Sequence, residues 1–310
     1  MPLPPLPNPK SRRERIRGLS RGVPATVFLG STLMGMNALQ TASLAIRPLS
    51  RSRFRKVNRW AADTWWGLCV TLGERLHDVN LELTGDDVPM RENAIVVVNH
   101  QDMADITFLM AFARSKDRLG DLKWFVKKPI KYVPGIGWGM VFLDCLFVER
   151  NWSADRASIE ATFQRILDDR IPIWLISFVE GTRTTPDKVA RSQEYARKQG
   201  LAPLEHVLIP RTKGFVASMQ GLRNYIDAVY DLTIGYERGV PNLWQYIKGF
   251  APRAHLHVRR YPVSSLPESE EEMGAWLHER FREKDQLLAR FYERGAFAAG
   301  EDPRERDERD

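Results

Sequence analysis

Cysteine is scarce in this chain, and its scarcity excludes several classes of protein. The 310 residues include two cysteines, Cys69 and Cys145, both in apolar surroundings. Neither belongs to a CxxC pair or stands near a histidine, which argues against a zinc site. So few cysteines in a chain of this length are typical of a reducing compartment rather than of a disulfide-stapled secreted protein.

The chain also lacks an excess of acidic residues. Its formal net charge of +7 indicates an anionic partner, which could be nucleic acid, an acidic membrane surface or a phosphorylated substrate. A nucleic-acid binder should carry basic residues along one face with aromatic residues between them. Here the basic residues gather at loops and beside an uncharged segment, so we expect a membrane or a phosphorylated lipid and no nucleic acid.

No long run of strongly hydrophobic residues is present either. The uncharged segment 22–46 is long enough to cross a bilayer, but it is only mildly hydrophobic. Basic residues on both flanks leave its orientation open and favour a segment that lies in, or dips into, an anionic membrane face. A buried core helix is the alternative. The polar residues of the segment are Thr26, Ser31, Thr32, Asn37, Gln40 and Thr41.

From about residue 80, short apolar runs alternate with helical patterns, such as those at 153–169 and 269–292. This alternation predicts an α/β domain with a mixed, largely buried sheet flanked by helices. The predicted strands are 94–98, 123–126, 145–148, 173–178, 207–209, 228–236 and 255–258.

Four regions are predicted along the chain. Residues 1–20 are rich in proline and arginine and are expected to be disordered. In the second region, the indoles of Trp60, Trp65 and Trp66 are expected at a lipid–water interface. The predicted regions are a disordered basic tail (1–20), a membrane-associated helical segment (21–80), the α/β domain (81–296) and a solvated charged tail (297–310).

His100 follows the strand-like run 94–98, and Asp105 comes five residues later. Within one continuous helix these side chains would lie about 140° apart around the axis and could not touch. If His100 lies in a turn and Asp105 in the first turn of the next helix, the carboxylate reaches the ring. It would then hold one imidazole nitrogen as N–H and leave the other free to accept a proton. No serine or cysteine stands nearby, so the base would act on a substrate hydroxyl; a plain helix cap is the alternative.

Basic loops follow several of the predicted strands. Gly181 allows backbone N–H groups to approach an anion, and Arg183 offers a planar fork suited to phosphate. Ligands of α/β sheets bind outside the carboxyl ends of the strands, where these loops lie. The further cations of these loops are Lys128, Arg150, Arg211 and Lys213.

Four short blocks of the sequence resemble the glycerolipid acyltransferase family, which includes 1-acyl-sn-glycerol-3-phosphate acyltransferases, and they occur in the same order as in that family. NHQDMAD matches the NHxxxxD block of the family, and FVEGTR matches its EGTR block. Lys128, Pro134 and Gly137 followed by FVER resemble the second block, and LIPRTKGF resembles the fourth. Val179 departs from the proline of many bacterial members, and FVEGTR with PRTKGF is closer to lysophospholipid and long-chain acyltransferases.

The resemblance implies a fold of the glycerol-3-phosphate acyltransferase type and a reaction. A fatty acyl group would pass from acyl-CoA or acyl-carrier protein to the hydroxyl of lysophosphatidate, giving phosphatidic acid. His100 would be the general base and Asp105 its orienting partner, with no metal or bound cofactor. The resemblance assigns substrate binding to Lys128, Arg150, Glu180, Gly181, Thr182, Arg183, Arg211 and Lys213.

Two other functions are compatible with the sequence. One is acylation of a lysophospholipid that carries a headgroup, and the other is a catalytically silent membrane-binding protein on the same fold. The intact blocks argue against a silent protein. A cytosolic acyl donor and a lipid acceptor together predict attachment to the cell (inner) membrane, with the catalytic domain on its cytoplasmic side.

Overall fold

A computed structural model describes residues 2–149, 152–251 and 253–297, and in this part of the chain a central sheet carries helices on both faces. The strand order is β1-β7-β6-β2-β5-β3-β4, and all neighbouring pairs are parallel except β6 with β7. The prediction of a mixed α/β sheet flanked by helices is therefore confirmed. The strands are β1 (Asn80–Gly85), β2 (Ala94–Val98), β3 (Leu122–Lys127), β4 (Leu146–Val148), β5 (Trp174–Ser177), β6 (Ala228–Gly235) and β7 (Arg253–Pro262).

Strands β2, β5 and β6 are buried along their whole length. Apolar residues on the two faces of the sheet form two cores, one against the N-terminal helices and the other against the C-terminal helices. The helices are α1 (Arg12–Ala42), α2 (Arg51–His77), α3 (Asp105–Ser115), α4 (Ile136–Phe142), α5 (Trp152–Asp168), α6 (Pro186–Lys198), α7 (Thr212–Leu222), α8 (Leu243–Ile247) and α9 (Glu270–Arg294).

The predicted strand 207–209 is wrong. The segment is not paired with another strand, because side chains take its backbone donors. The N–H of Leu208 donates to Glu180, and the N–H of Ile209 donates to the hydroxyl of Ser192. The strand β1 was not predicted because it lies at the edge of the sheet, where most of its side chains face solvent and form no apolar run.

The predicted disorder of residues 1–20 is also wrong. The chain pairs with residue Val240 at Pro5 and Leu6, and helix α1 begins at Arg12. Its first turns are ordered by contact with the region around α8, where Gly18 lies against the ring of Phe250. These contacts join residues more than 200 positions apart, so local composition does not show them.

The C-terminal tail was predicted to begin at residue 297, but Phe297 is buried in the core beneath α9. Residues 298–310 lie outside the described part of the chain.

Helix α1 buries small and polar residues and exposes large apolar ones, the reverse of an ordinary surface helix. Among its buried residues are Gly18, Gly22, Ala25 and Gln40. No helix of the described residues combines the length and the hydropathy needed to cross a membrane. The exposed large apolar residues of α1 are Ile16, Leu19, Val23, Val27, Phe28, Met34 and Leu39.

The three tryptophans at the start of α2 do not share one environment. Trp60 is exposed, whereas Trp65 donates its indole N–H to the carbonyl of Leu29 in α1 at 3.1 Å. Trp66 is a core residue with 5% exposure, so its predicted place at a lipid interface is wrong.

Candidate active site

The dyad of His100 and Asp105 lies where β2 ends and α3 begins. The ring Nδ1 of His100 is 2.9 Å from Oδ2 of Asp105, and α3 starts at Asp105, as predicted from the spacing. The carboxylate has no solvent exposure, whereas 11% of the imidazole is exposed. An ionised carboxylate can only accept hydrogen bonds, so Nδ1 carries the proton and Nε2 is left as the basic nitrogen.

Asp105 receives three further hydrogen bonds that fix its orientation. Its Oδ2 accepts the backbone N–H groups of Gln101 at 2.7 Å and Asp102 at 3.0 Å, and its Oδ1 accepts the hydroxyl of Tyr236 at 2.6 Å. Burial, and next the charge of Asp105, raise the pKa of Tyr236 well above its usual value, so this hydroxyl remains a donor. Four donors on one buried carboxylate stabilise its charged form and hold it against the imidazole.

The imidazole is also held from one face. The rings of His100 and Phe178 are stacked with centroids 4.0 Å apart and planes 23° apart. Phe178 follows β5, the neighbour of β2 in the sheet. The ring therefore cannot turn away from Asp105 without losing this contact.

Glu180 holds the backbone that carries His100. One oxygen of Glu180 accepts the N–H of His100 at 2.7 Å, and the other accepts the N–H of Leu208 at 2.9 Å. Burial raises the pKa of Glu180 to about 8, although the two N–H groups act in the opposite direction. With 2% exposure and both oxygens bound to backbone N–H groups, Glu180 holds the loop that carries His100, and its assignment to substrate binding stays a prediction.

The loop after Glu180 packs against one of the predicted cations, Arg211. Gly181 has a φ of +71°, and a Cβ atom there would lie 3.0 Å from Nε of Arg211. Glycine therefore permits both the turn and the close approach of the arginine side chain. Arg211 itself is fixed by its N–H, which donates to the carbonyl of Val179 at 2.8 Å.

Arg183 lies on the other side of this loop and reaches towards the dyad. Its Nη1 donates to Oδ1 of Asp102 at 2.8 Å, while half of its side chain stays exposed. Thr182 accepts a hydrogen bond from the ammonium of Lys188 in α6 at 2.8 Å, and the same ammonium donates to the carbonyl of Arg183. Arg183 and Lys188 thus place positive charge on the loop that follows Glu180, and Arg183 is tied to the turn between His100 and Asp105.

The remaining predicted cations are not brought to the dyad by any contact between described residues. Lys128 follows β3, is half exposed and forms an ion pair with Glu149. Lys213 lies exposed in the first turn of α7. Arg150 lies outside the described residues.

Comparison with known proteins shows the family to which this chain belongs. The sequence pattern of the family described as Acyltransferase matches residues 80–237, and that described as Acyltransferase C-terminus matches residues 245–309. The chain belongs to the acyltransferase family. It is an O-acyltransferase, which confirms the resemblance seen in the four sequence blocks.

Relatives of this chain carry two kinds of name. The 1-acyl-sn-glycerol-3-phosphate acyltransferase 2 of Brassica oleracea is 36% identical over 275 residues, covering 86% of this chain and 70% of the relative. The lysocardiolipin acyltransferase 1 of Danio rerio is 36% identical over 279 residues, covering 88% of this chain and 72% of the relative. Both names describe enzymes that acylate lysophospholipids. The two kinds of relative therefore share the acyltransferase reaction but differ in the acceptor that they are named for.

A solved structure shares the fold. The 1-acyl-sn-glycerophosphate acyltransferase PlsC of Thermotoga maritima aligns with a TM-score of 0.54 and 19% identity, covering 88% of this chain and 97% of that chain.

Four residues of the acyltransferase site were not assigned roles from the sequence. Asp102, Phe178, Lys188 and Tyr236 each contact a predicted site residue. Asp102 and Phe178 stand inside the recognised blocks, where their positions gave a signal. Lys188 and Tyr236 approach the site from α6 and from the end of β6, and no spacing rule predicts those contacts.

Proposed function

We propose that this enzyme transfers a fatty acyl group from acyl-CoA or acyl-carrier protein to the free hydroxyl of 1-acyl-sn-glycerol-3-phosphate, giving phosphatidic acid in phospholipid biosynthesis. The observation that carries the proposal is the partly exposed His100 ring with arginines beside it. His100 is held by Asp105, Arg183 is bound to Asp102 two residues after His100, and Arg211 lies against Gly181.

In the proposed reaction, Nε2 of His100 removes the proton from the acceptor hydroxyl as its oxygen attacks the thioester carbonyl. The C–S bond breaks, and the imidazolium returns the proton to the leaving sulfur. Asp105 stabilises the imidazolium between these two transfers. A general base contributes roughly 10²- to 10⁴-fold to such a rate, and the residues named supply this chemistry without a metal.

The acceptor phosphate would bind at Arg183. Its guanidinium is held near the dyad by Asp102, with Arg211 across Gly181. A phosphate monoester carries up to two negative charges near neutral pH and can displace the carboxylate of Asp102 from this fork. Lysophosphatidate presents such a monoester close to its free hydroxyl.

A lysophospholipid with a headgroup is the second candidate acceptor, because relatives named as lysocardiolipin acyltransferases are as similar as those named for lysophosphatidate. Its phosphodiester carries a single charge and should depend less on the arginine fork. The two candidates therefore predict different responses to the same substitution.

Membrane attachment through α1 is part of the proposal. The large apolar residues that α1 exposes would enter the lipid interface, and the basic flanks of the helix would contact anionic headgroups. Small residues meanwhile pack α1 against the protein. We propose the cytoplasmic face of the cell (inner) membrane as the site, since the acyl donors are cytosolic.

The test is an assay of membranes containing this protein with labelled acyl-CoA and a panel of lyso-acceptors, for wild type and Arg183→Lys. Lysine keeps the charge but loses the bidentate fork, so the KM for lysophosphatidate should rise clearly while the KM for acyl-CoA changes little. Arg191→Lys, an exposed arginine of α6, is the matched control.

A higher KM for acyl-CoA alone would place Arg183 at the donor instead. Equal increases for lysophosphatidate and for headgroup-bearing acceptors would remove the preference for lysophosphatidate.

A further inference from the structure

A cleft of about 620 Å³ opens at the end of the sheet opposite the dyad. Its walls are the first turns of α2 and the segments that precede β3, β4 and β5, so it lies at the amino ends of these strands. His100, in contrast, follows the carboxyl end of β2. The cleft is therefore separate from the acyltransferase site.

Lys123, the second residue of β3, lines this cleft and has 3% exposure. None of the other described residues offers its ammonium a hydrogen bond or an ion pair. Buried charged groups in proteins are normally paired, because an unpaired charge keeps the full cost of leaving water. Burial lowers the pKa of Lys123, and the nearby groups Cys145, Asp121 and Asp144 oppose this only in part, since none of them forms a hydrogen bond or an ion pair with the ammonium. An anion in the cleft would supply the missing partner.

The carboxylates of the cleft do not fill this role. Asp144 and Asp169 both accept from Arg55, and Asp121 accepts from Arg59 and Arg118. Asp63 accepts the backbone N–H of Gly120 at 3.2 Å. Most of the acidic charge in the cleft is thus already bound to arginines.

Three further cations of the cleft have no carboxylate partner among the described residues. They are Arg51 and Lys56 in the first turns of α2 and Arg170 before β5, and all three are exposed. Together with Lys123 they line the same cleft. Arg51 and Lys56 approach it from α2, whereas Lys123 and Arg170 approach it from the side of the sheet. Trp60 also lines the cleft and is exposed beside them.

Arg170 is held there in an unfavourable backbone conformation. Its φ is +47°, in the left-handed region where glycine is the usual residue at the end of a helix. An arginine at this place, just after α5, costs stability that glycine would not.

We propose that this cleft binds a phosphate ester, with Lys123 as the buried ligand and Arg51, Lys56 and Arg170 at its rim. The phosphate would belong either to a phospholipid whose headgroup is a phosphate monoester, since α2 follows helix α1, which is proposed above to face the membrane, or to a soluble phosphorylated molecule. A phosphate monoester from either source presents the same group, with up to two negative charges, to the same four cations.

The experiment measures the thermal midpoint Tm of the full-length protein in detergent with increasing inorganic pyrophosphate at constant ionic strength. All proteins carry Arg183→Gln, which removes the arginine fork proposed at the active site. We expect pyrophosphate to raise Tm. Lys123→Met should raise the half-saturating concentration about 10- to 100-fold, the effect of losing a charge-assisted hydrogen bond.

Arg170→Gly provides a second variant whose failure to bind cannot come from misfolding. It should raise the Tm without ligand by about 2–4 °C by relieving the left-handed arginine. It should also raise the half-saturating concentration about 2- to 5-fold. Arg75→Gln, which removes an exposed cation from the far end of α2, is the matched control and should bind like the parent protein.

Flotation with phosphatidylcholine vesicles, with and without phosphatidate, distinguishes the two sources. A gain in flotation on phosphatidate that depends on Lys123 assigns the lipid headgroup; a response to pyrophosphate that depends on Lys123, without such a gain, assigns a soluble phosphate. The proposal is overturned if Lys123→Met and Arg75→Gln behave alike in both measurements.

Discussion

The carboxylate of Asp105 has no contact with solvent, yet it holds the ring that performs the proposed proton transfer. Its four donors come from the adjacent turn, the imidazole and Tyr236, which directly follows β6. Because the same contacts both stabilise the charge and orient the ring, His100 and Asp105 should act as one unit.

We therefore expect His100→Ala and Asp105→Asn each to lower kcat by roughly 10²- to 10⁴-fold. The double variant should be little worse than His100→Ala alone, because residues of one catalytic unit are non-additive. Asparagine is chosen because it fills the buried site of Asp105. Steady-state rates on membranes with labelled acyl-CoA measure the effect, and independent multiplicative losses would argue that the two residues do not cooperate.

Glu180 gives the protein a predictable dependence of stability on pH. Its pKa in the folded protein, about 8, exceeds its usual value of 4.5. Its contribution to stability is therefore complete below about pH 4.5 and is lost as the pH rises through about 8.

Glu180→Gln cannot titrate, so wild type should be more stable relative to this variant at pH 5 than at pH 8.5. Thermal midpoints at the two pH values measure the difference, with the exposed Glu268→Gln as the control. An identical difference at both values would show that Glu180 does not change its protonation between them.

At the scale of elements, helix α1 is the unusual one. It presents Val23, Val27, Phe28 and Met34 to solvent and packs glycines against the protein. Large exposed apolar patches mark surfaces that bind a partner or a membrane. The residues 132–141 around α4, which contacts α1, add the exposed side chains of Tyr132, Val133, Ile136, Trp138 and Val141.

Replacing Val23, Val27, Phe28 and Met34 together with glutamine should release the protein from vesicles without lowering its Tm, since these side chains make few contacts within the fold. Flotation with liposomes measures the loss. The matched control replaces Leu83, Met90 and Tyr195, which are exposed on other elements. Flotation that persists unchanged in the α1 variant would mean that another surface attaches the enzyme.

At the scale of the whole molecule, a buried ion pair joins the two regions that match the acyltransferase family. Lys284 of α9 donates to Asp231 of β6 at 2.7 Å, and also to the carbonyl of Leu232 and the hydroxyl of Thr233. The ammonium has no exposure, and its donors are directed to three acceptors. Helix α9 is thereby fixed across the strand that ends near Tyr236.

Removing one partner of the Lys284–Asp231 ion pair should lower the free energy of unfolding more than removing both partners. Lys284→Met leaves Asp231 buried without its cation and should lower the free energy of unfolding by about 3–5 kcal/mol. Adding Asp231→Leu should recover much of this loss. Chemical denaturation of the single and double variants measures the coupling; a double variant as unstable as the sum of the two single variants would contradict it.

Much of the site follows from local sequence. The contact between His100 and Asp105 spans five residues, so a strand, a turn and a helix start are sufficient to form it. The strands at 94–98 and 173–178 were predictable because continuous apolar runs indicate strands buried on both faces. The four blocks also indicated the acyltransferase family, because each block is a short stretch of sequence that can be recognised without knowing the fold.

Only the tertiary structure decided which partners these local units acquire. Tyr236 meets Asp105 across 131 positions, and Glu180 reaches His100 across 80. Glu180 also accepts the N–H of Leu208, which a strand at 207–209 would have donated to a neighbouring strand. The orientation of α1 and the isolation of Lys123 depend on packing between distant segments. Side-chain periodicity defines local secondary structure, whereas the burial of a charge depends on everything that packs around it.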